Sequence, residues 1–159
     1  VVYHHDRPAD SLDTGQSAPR TASNTAGQLA WVADRSGEEH WSYDERGRVQ
    51  WRVKRVREPG SEALVNFHFA TVYDALDRAV RFQYPDGASL DYRYNPRGLL
   101  DGLALGETTT LVAGTDYQPS GQHAAIRYGN GVRTEFAYDP RLRLRSLDTR
   151  APADQPLLA

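Results

Sequence analysis

Tyr94-Asn95-Pro96-Arg97-Gly98 is the stretch that decides the fold. Asn at the first position of a type I turn accepts bonds from the backbone ahead of it. Pro suits the second position, and Gly at the fourth takes the left-handed conformation that leads into a strand. Working outward, the same order of Tyr, then Asp, Asn or Gln, two residues and usually Gly recurs along the chain. The copies are Tyr43-Asp44-Glu45-Arg46-Gly47, Tyr73-Asp74-Ala75-Leu76-Asp77, Tyr117-Gln118-Pro119-Ser120-Gly121 and Tyr138-Asp139-Pro140-Arg141-Leu142, with Ser23-Asn24-Thr25-Ala26-Gly27 as a degenerate further copy. Starts at 23, 43, 73, 94, 117 and 138 lie 20, 30, 21, 23 and 21 residues apart, a period that marks a repeat architecture. The one long interval contains Arg57-Glu58-Pro59-Gly60-Ser61-Glu62, the composition of an inserted loop. Asp77 and Leu142 stand where the other copies have Gly; Asp tolerates a left-handed backbone, whereas Leu does so poorly and is expected to distort the last turn.

After each turn the apolar residues alternate with period two. Val80, Phe82 and Tyr84 point one way and Arg81 and Gln83 the other; Pro85-Asp86-Gly87 reverses the chain, and Leu90, Tyr92 and Tyr94 resume against Asp91 and Arg93. Ala124, Ile126 and Tyr128, the turn Gly129-Asn130-Gly131, then Val132, Thr134, Phe136 and Tyr138 repeat the pattern, as do Leu29 and Trp31, Ser36-Gly37, Trp41 and Tyr43, and Val49, Trp51 and Val53. Each repeat supplies two short strands, and successive hairpins should pair side by side in an antiparallel sheet. The expected fold is all-β: tandem antiparallel hairpins over residues 23–150 in a curved sheet. Residues 1–22 read as an N-terminal linker or extended cover over the sheet edge, and 151–159 as a C-terminal linker, both punctuated by Pro.

Composition agrees with a thin sheet. Of 159 residues 39% are apolar, the mean hydropathy is −0.68, and Tyr, with 9 copies, offers a ring to bury and a hydroxyl that can stay wet. A formal charge of −2 provides no positive field for nucleic acid, no apolar run is long enough to span a bilayer, and the absence of Cys excludes disulfides and thiolate metal sites. The chain starts Val1-Val2-Tyr3 rather than with Met, which reads as an excised or processed segment.

The Tyr-Asp-x-x-Gly-Arg pattern at Tyr43 to Arg48, the Tyr-Pro-Asp-Gly turn at Tyr84 to Gly87, and Tyr128-Gly129-Asn130-Gly131-Val132 leading to Tyr138-Asp139 resemble the YD repeats of the Rhs family. That family includes bacterial polymorphic toxins, B/C components of insecticidal toxin complexes and animal teneurins. The resemblance implies a strip of hairpins that spirals into a hollow shell, which in relatives encloses a toxic or effector domain until delivery. It also implies a secreted or cell-surface, bacterial setting. Six hairpins are too few to close a shell, so the expectation is an arc of one. Relatives carry a self-cleaving Asp-Pro-x-Gly motif; Asn95 lacks the acid and an ordinary repeat turn accounts for Asn95 to Leu99, so cleavage is not carried over.

No catalytic, cofactor or metal site is expected. His4-His5-Asp6 is too small a set, since adjacent side chains of a strand point apart, and Asp44, Asp74, Asp86 and Asp139 sit where turns want them. Arg141, Arg143 and Arg145 alternate as if on one strand face, as do Arg52 and Lys54; pairing with Asp and Glu and stacking on Tyr and Trp explains them better than nucleic acid does. The leading functional reading is a structural module whose repeat residues are Tyr43, Asp44, Gly47, Tyr73, Asp74, Tyr94, Asn95, Gly98, Tyr117, Gly121, Tyr138 and Asp139. Its partners would be neighbouring repeats of a longer parent chain, or a second copy through the open sheet edges. Toxin cargo is a further candidate partner. The alternative is a module that binds carbohydrate or protein through exposed Trp31, Trp41 and Trp51.

Overall fold

A computed structural model describes residues 1–10, 12, 20–61 and 63–152. Those residues contain no helix and twelve strands: β1 Val2–His5, β2 Leu29–Asp34, β3 Gly37–Tyr43, β4 Val49–Arg57, β5 Leu64–Tyr73, β6 Ala79–Gln83, β7 Ser89–Tyr94, β8 Leu100–Leu105, β9 Thr109–Tyr117, β10 His123–Tyr128, β11 Arg133–Tyr138 and β12 Leu144–Arg150. The chain forms two compact units, Val1–Ala88 and Ser89–Ala159. Within the first, β1 to β6 each pair antiparallel with the next strand. Within the second, β7 to β12 do the same. The all-β antiparallel hairpin fold read from the repeat is the one observed.

The motif turns close as their chemistry requires. In each, the fourth residue donates its N–H to the carbonyl of the first, and the first donates to the carbonyl of the fifth. Gly47 to Asp44 is 3.0 Å and Asp44 to Arg48 is 2.9 Å; Gly98 to Asn95 and Asn95 to Leu99 are 2.8 and 2.9 Å, and the turns at 74, 118 and 139 match. The first side chain then caps the turn, as when Asn95 Oδ1 accepts from the N–H groups of Arg97 and Leu99. The turns at Tyr84–Ala88 and Tyr128–Val132 use the same bonds, with Asp86 or Asn130 as the cap.

Leu142 adopts φ +62°, yet the last turn keeps both bonds, at 2.8 and 2.9 Å. The expected distortion is therefore absent, and the strain lies in the Leu backbone itself. Because Leu142 is 57% exposed, Leu142→Gly removes little packing. It should raise the stability of the second unit by about 1 kcal/mol in denaturant titration. A decrease would mean that the side chain packs better than its exposure indicates.

A feature of the repeat that period-two reading does not reveal is a bulge. One residue of the second strand is skipped seven positions beyond each motif Tyr: Gln50, Val80, Asp101, Ala124 and Arg145. Bulges of this kind add twist and re-aim side chains. One consequence corrects the basic stripe: Arg141 lies in the turn, Arg143 closes it, and Arg145 is the bulge residue, so the three do not line a strand face. Arg52 and Lys54 do share a face of β4.

The N-terminal boundary is also corrected. Residues 2–5 form β1, an integral strand rather than a linker. Asp6 donates to Gln28 O at 3.1 Å, and its Oδ1 accepts from Gly27 N at 2.6 Å, so Asp6 supplies the first position of the turn that Thr25 to Gln28 complete. The register agrees: His5 faces Leu29, His4 faces Trp31, and Ala30 is skipped. Residues 7–24 are thus an excursion within the first turn. Leu12 and Ala22, 4% and 6% exposed, pack with Trp51 and Val53, so at these two residues the excursion lies against a face of the sheet. Residues 11, 13–19, 62 and 153–159 lie outside the described residues, and with them most of that excursion, the end of the expected inserted loop and most of the C-terminal linker. The long interval comes as much from the strands as from the loop, since β4 has 9 residues and β5 has 10.

Candidate functional site

The first candidate is the edge along which motif turns stand side by side. In the first unit, Asp44 accepts Arg46 N and Arg48 N on Oδ1, while its Oδ2 takes Arg48 Nε at 2.6 Å and Nη2 at 2.6 Å. Asp74 holds Arg78 in the same way, as does Asp139 with Arg143 in the second unit. The Arg48 hydrogen bonds hold the Asp44 carboxyl below its ordinary pKa, and Arg78 does the same for Asp74. Arg four residues after Asp therefore belongs to the motif. Where the first position is Asn95 or Gln118, the fifth is Leu99 or Gln122 and the ion pair is absent.

Consecutive turns are also tied to each other. Arg46 donates to Ala75 O at 3.1 Å and to Asp77 Oδ2 at 2.9 Å, and Arg48 reaches Asp74 O at 3.2 Å while lying 4.6 Å over the Tyr73 ring. Asp77 occupies the left-handed fourth position, φ +62°, and serves as the acceptor. In the second unit Arg97 donates to Gln118 O at 3.3 Å and Pro119 O at 3.1 Å, and Gln122 to Leu142 O at 2.6 Å.

The motif Tyr makes a second tie. Tyr43 Oη donates to Leu29 O at 2.9 Å, Tyr73 Oη to Val49 O at 3.1 Å and Tyr117 Oη to Leu100 O at 2.6 Å, each reaching the residue that follows the preceding motif turn. Tyr117→Phe should cost the second unit about 1 kcal/mol. Tyr138→Phe should change it by less than about 0.5 kcal/mol, because no such bond is made by Tyr138 among the described residues. Equal losses in urea titrations of the two variants would refute this role for the hydroxyl. Tyr94 also has an interaction of its own.

The second candidate is the aromatic set. Pairing of His4 with Trp31, Trp31 with His40, His40 with Val53 and Val53 with His68 places these residues in one cross-strand row. Trp31 is half-buried, stacked 3.6 Å from His4 and 5.4 Å from His40. Trp51 is only 8% exposed and belongs to the covered core, a correction to its expected exposure. Trp41 pairs with Arg52, on the opposite face from Trp31 and Trp51. That face holds a cleft of about 230 Å³ among Tyr3, Val32, Glu39, Trp41, Lys54 and Val56, with Arg52 bonded to Glu39 and 4.5 Å over Phe69. The three Trp side chains therefore do not converge. Among the described residues no group of three or more His, Asp or Glu comes together to hold a metal ion; His4 is engaged with Trp31 and His5 is exposed.

His40 and His68, 1% and 5% exposed, leave Nδ1 and Nε2 of His40 and Nε2 of His68 without a hydrogen-bond partner among the described residues. Glu38 Oε1 lies 3.4 Å from His40 Nε2, near enough for attraction but not aligned as a bond. Burial pushes both pKa values below the ordinary 6.5; Glu38 opposes this at His40, and Arg20 adds to it at His68. The unfolded chain thus takes up protons near 6.5 that the folded unit resists, so stability is lost as pH falls below that value. Melting of the first unit should move down between pH 7 and pH 5, and by less in His68→Leu. An unchanged melting temperature over that range would count against buried neutral imidazoles.

With the geometry in place, comparison with solved structures shows what the chain is similar to. The chain resembles one in the crystal structure of TcdB2-TccC3-TEV at 25% identity and TM-score 0.73, covering 82% of this chain and 7% of that one. It resembles TcdB2-TccC3 without its hypervariable C-terminal region at 25% identity and TM-score 0.74, covering 85% and 7%. A chain of a Photorhabdus luminescens Tc holotoxin pore with a substituted TccC3 matches at 22% identity and TM-score 0.74, covering 90% and 8%. No family model and no curated protein matches the chain. These likenesses support the resemblance to Rhs/YD-repeat toxin components and, at the coarse level, a structural module of the toxin-complex type. The chain spans less than a tenth of the length of the chains it matches.

Proposed function

We propose that this segment is wall material of an Rhs/YD-repeat toxin-like protein, part of a hairpin shell that encloses or presents an effector domain in a bacterial, extracellular setting. The observation that carries the reading is the use made of the motif. Its Tyr, Asx and Arg side chains bond to the next or preceding turn and to the backbone, so the repeat chemistry is spent on joining hairpin to hairpin. The second unit supports it. Its only buried apolar side chain among the described residues is Ala125, so its sheet has no second apolar layer of its own and suits a wall. The segment is non-enzymatic in this reading, in which Asp44, Asp74 and Asp139 are each held by the arginine of their own turn and Asp86 caps Ala88 N. Dispersal of Trp31, Trp41 and Trp51 over two faces gives the carbohydrate-binding alternative less support.

Limited proteolysis of the parent polypeptide tests the reading. Sequence enclosed by the wall should resist protease in the intact protein and be digested at urea concentrations at which circular dichroism shows this segment unfolded in a Gly37→Ala variant but folded in the wild type. Equal resistance in both proteins would refute enclosure.

A further inference from the structure

We propose that Asn130-Gly131, in the turn between β10 and β11, is a site of spontaneous covalent modification in the folded chain. The Asn130 side chain loses ammonia to the backbone that follows it, and water opens the resulting imide to aspartate or isoaspartate. This site is independent of the wall reading.

The chemistry needs a backbone N–H directly after an asparagine and open access to the side-chain Cγ. The asparagines of this chain differ in both respects. Asn95 is followed by Pro96, which has no N–H. Asn24 is followed by Thr25, and its Nδ2 is held by Tyr43 O at 2.9 Å; Asn66 is followed by Phe67 within β5, and its Oδ1 by Arg55 Nε at 3.1 Å. Asn130 and Gly131 are both exposed, and Gly131 has no side chain to shield its nitrogen. Asn130 Oδ1 accepts from Val132 N at 3.2 Å, which closes a ring containing both Cγ and Gly131 N. The turn thus keeps the carboxamide folded back along the peptide that attacks it.

In the step itself, Gly131 N bonds to Asn130 Cγ, the Cγ–Nδ2 bond breaks, and Nδ2 departs as ammonia with the proton that Gly131 N gives up. Water then adds across either C–N bond of the imide. Opening at Cγ leaves aspartate in an ordinary backbone, and opening at the backbone carbonyl leaves isoaspartate, whose main chain is longer by one carbon. The products differ in effect. Asp86 holds the same position in the Tyr84–Ala88 turn and caps Ala88 N at 2.9 Å, so aspartate suits this turn. Isoaspartate lengthens a loop closed by Gly131 N to Tyr128 O at 3.0 Å and Tyr128 N to Val132 O at 2.8 Å. It does so where a Cβ on Gly131 would already lie 2.8 Å from Pro152 Cγ. The isoaspartate form therefore loosens the β10–β11 hairpin.

The test ages the 159-residue chain at mildly alkaline pH, under conditions in which circular dichroism shows it folded, and then digests it with trypsin. Cleavage after Arg127 and Arg133 releases residues 128–133 as one peptide. That peptide should be replaced by its aspartate and isoaspartate forms, with ammonia released in step, while the peptides holding Asn24, Asn66 and Asn95 keep their masses. An unchanged 128–133 peptide would overturn the site, as would conversion only after urea has unfolded the chain. In urea titration the aged protein should unfold at lower denaturant than the fresh one. Asn130→Asp, which carries the new charge without the extra backbone carbon, should unfold with the fresh protein. Equal midpoints for aged and fresh protein, or an equal loss in Asn130→Asp, would overturn the loosening of the hairpin by isoaspartate.

Discussion

Trp51→Ala should destabilise the first unit by about 3–5 kcal/mol, lowering its melting temperature by more than about 10 °C. The reason lies in how few side chains form that core. Among the described residues the buried apolar cluster is Leu12, Ala22, Trp51 and Val53, and Trp51 is its largest member. Removing the indole takes away the floor on which Leu12 and Ala22 rest and opens space beside His68, whose ring lies 6.0 Å from that of Trp51. The excursion should then lift from the sheet, so tryptic cleavage after Arg20 should accelerate together with the loss in stability. Unchanged cleavage and a loss below about 1 kcal/mol would show that the excursion is held by something other than this cluster.

Gly37→Ala should be comparably damaging for a different reason. Gly37 has φ +148°, and a Cβ built there would lie 1.9 Å from the carbonyl oxygen of Arg55, on the strand with which β3 pairs. Neither partner is a flexible side chain, so the β3–β4 ladder must shift while the new residue holds a backbone that L residues avoid. Together these cost about 3 kcal/mol or more. Asp34 Oδ1 accepts from Ser36 N, Ser36 Oγ and Gly37 N, which fixes this turn locally and leaves it little room to relax. Gly27→Ala is the control, because nothing lies within 4 Å of a Cβ there and only the positive φ opposes it. Similar losses from the two variants in urea titration would show that the collision relaxes without cost.

The turns and the strand alternation were legible because each depends on residues adjacent in sequence. Asn95, Pro96 and Gly98 state their turn outright, and Val80 and Phe82 state their face. The bulges at Gln50, Asp101 and Arg145 were hidden, since an unpaired residue in a ladder needs no special composition and shows only in the register. The first turn was hidden because its halves, Asp6 and Thr25 to Gln28, are separated by the excursion; Ser23-Asn24 looked like its beginning yet runs beside Tyr43, with Asn24 Nδ2 donating to Tyr43 O at 2.9 Å. Arg at the fifth position was visible at Arg48, Arg78 and Arg143, but its reach into neighbouring turns is a tertiary fact. The three Trp residues suggested one exposed surface. Strand pairing separates Trp41 from the others, and the excursion covers Trp51.

The most direct test of repeats tied turn to turn is residue-resolved amide hydrogen exchange on the 159-residue chain. The N–H groups of Gly47, Asp77, Gly98, Gly121 and Leu142, which donate to the first carbonyl of their turns, should exchange slowly although they lie at loop tips. Those of Asp44, Asp74, Asn95, Gln118 and Asp139 should be protected with them. Exchange of these ten amides at unprotected rates while mid-strand amides stay protected would contradict the account, since the turns would then be loose loops between strands.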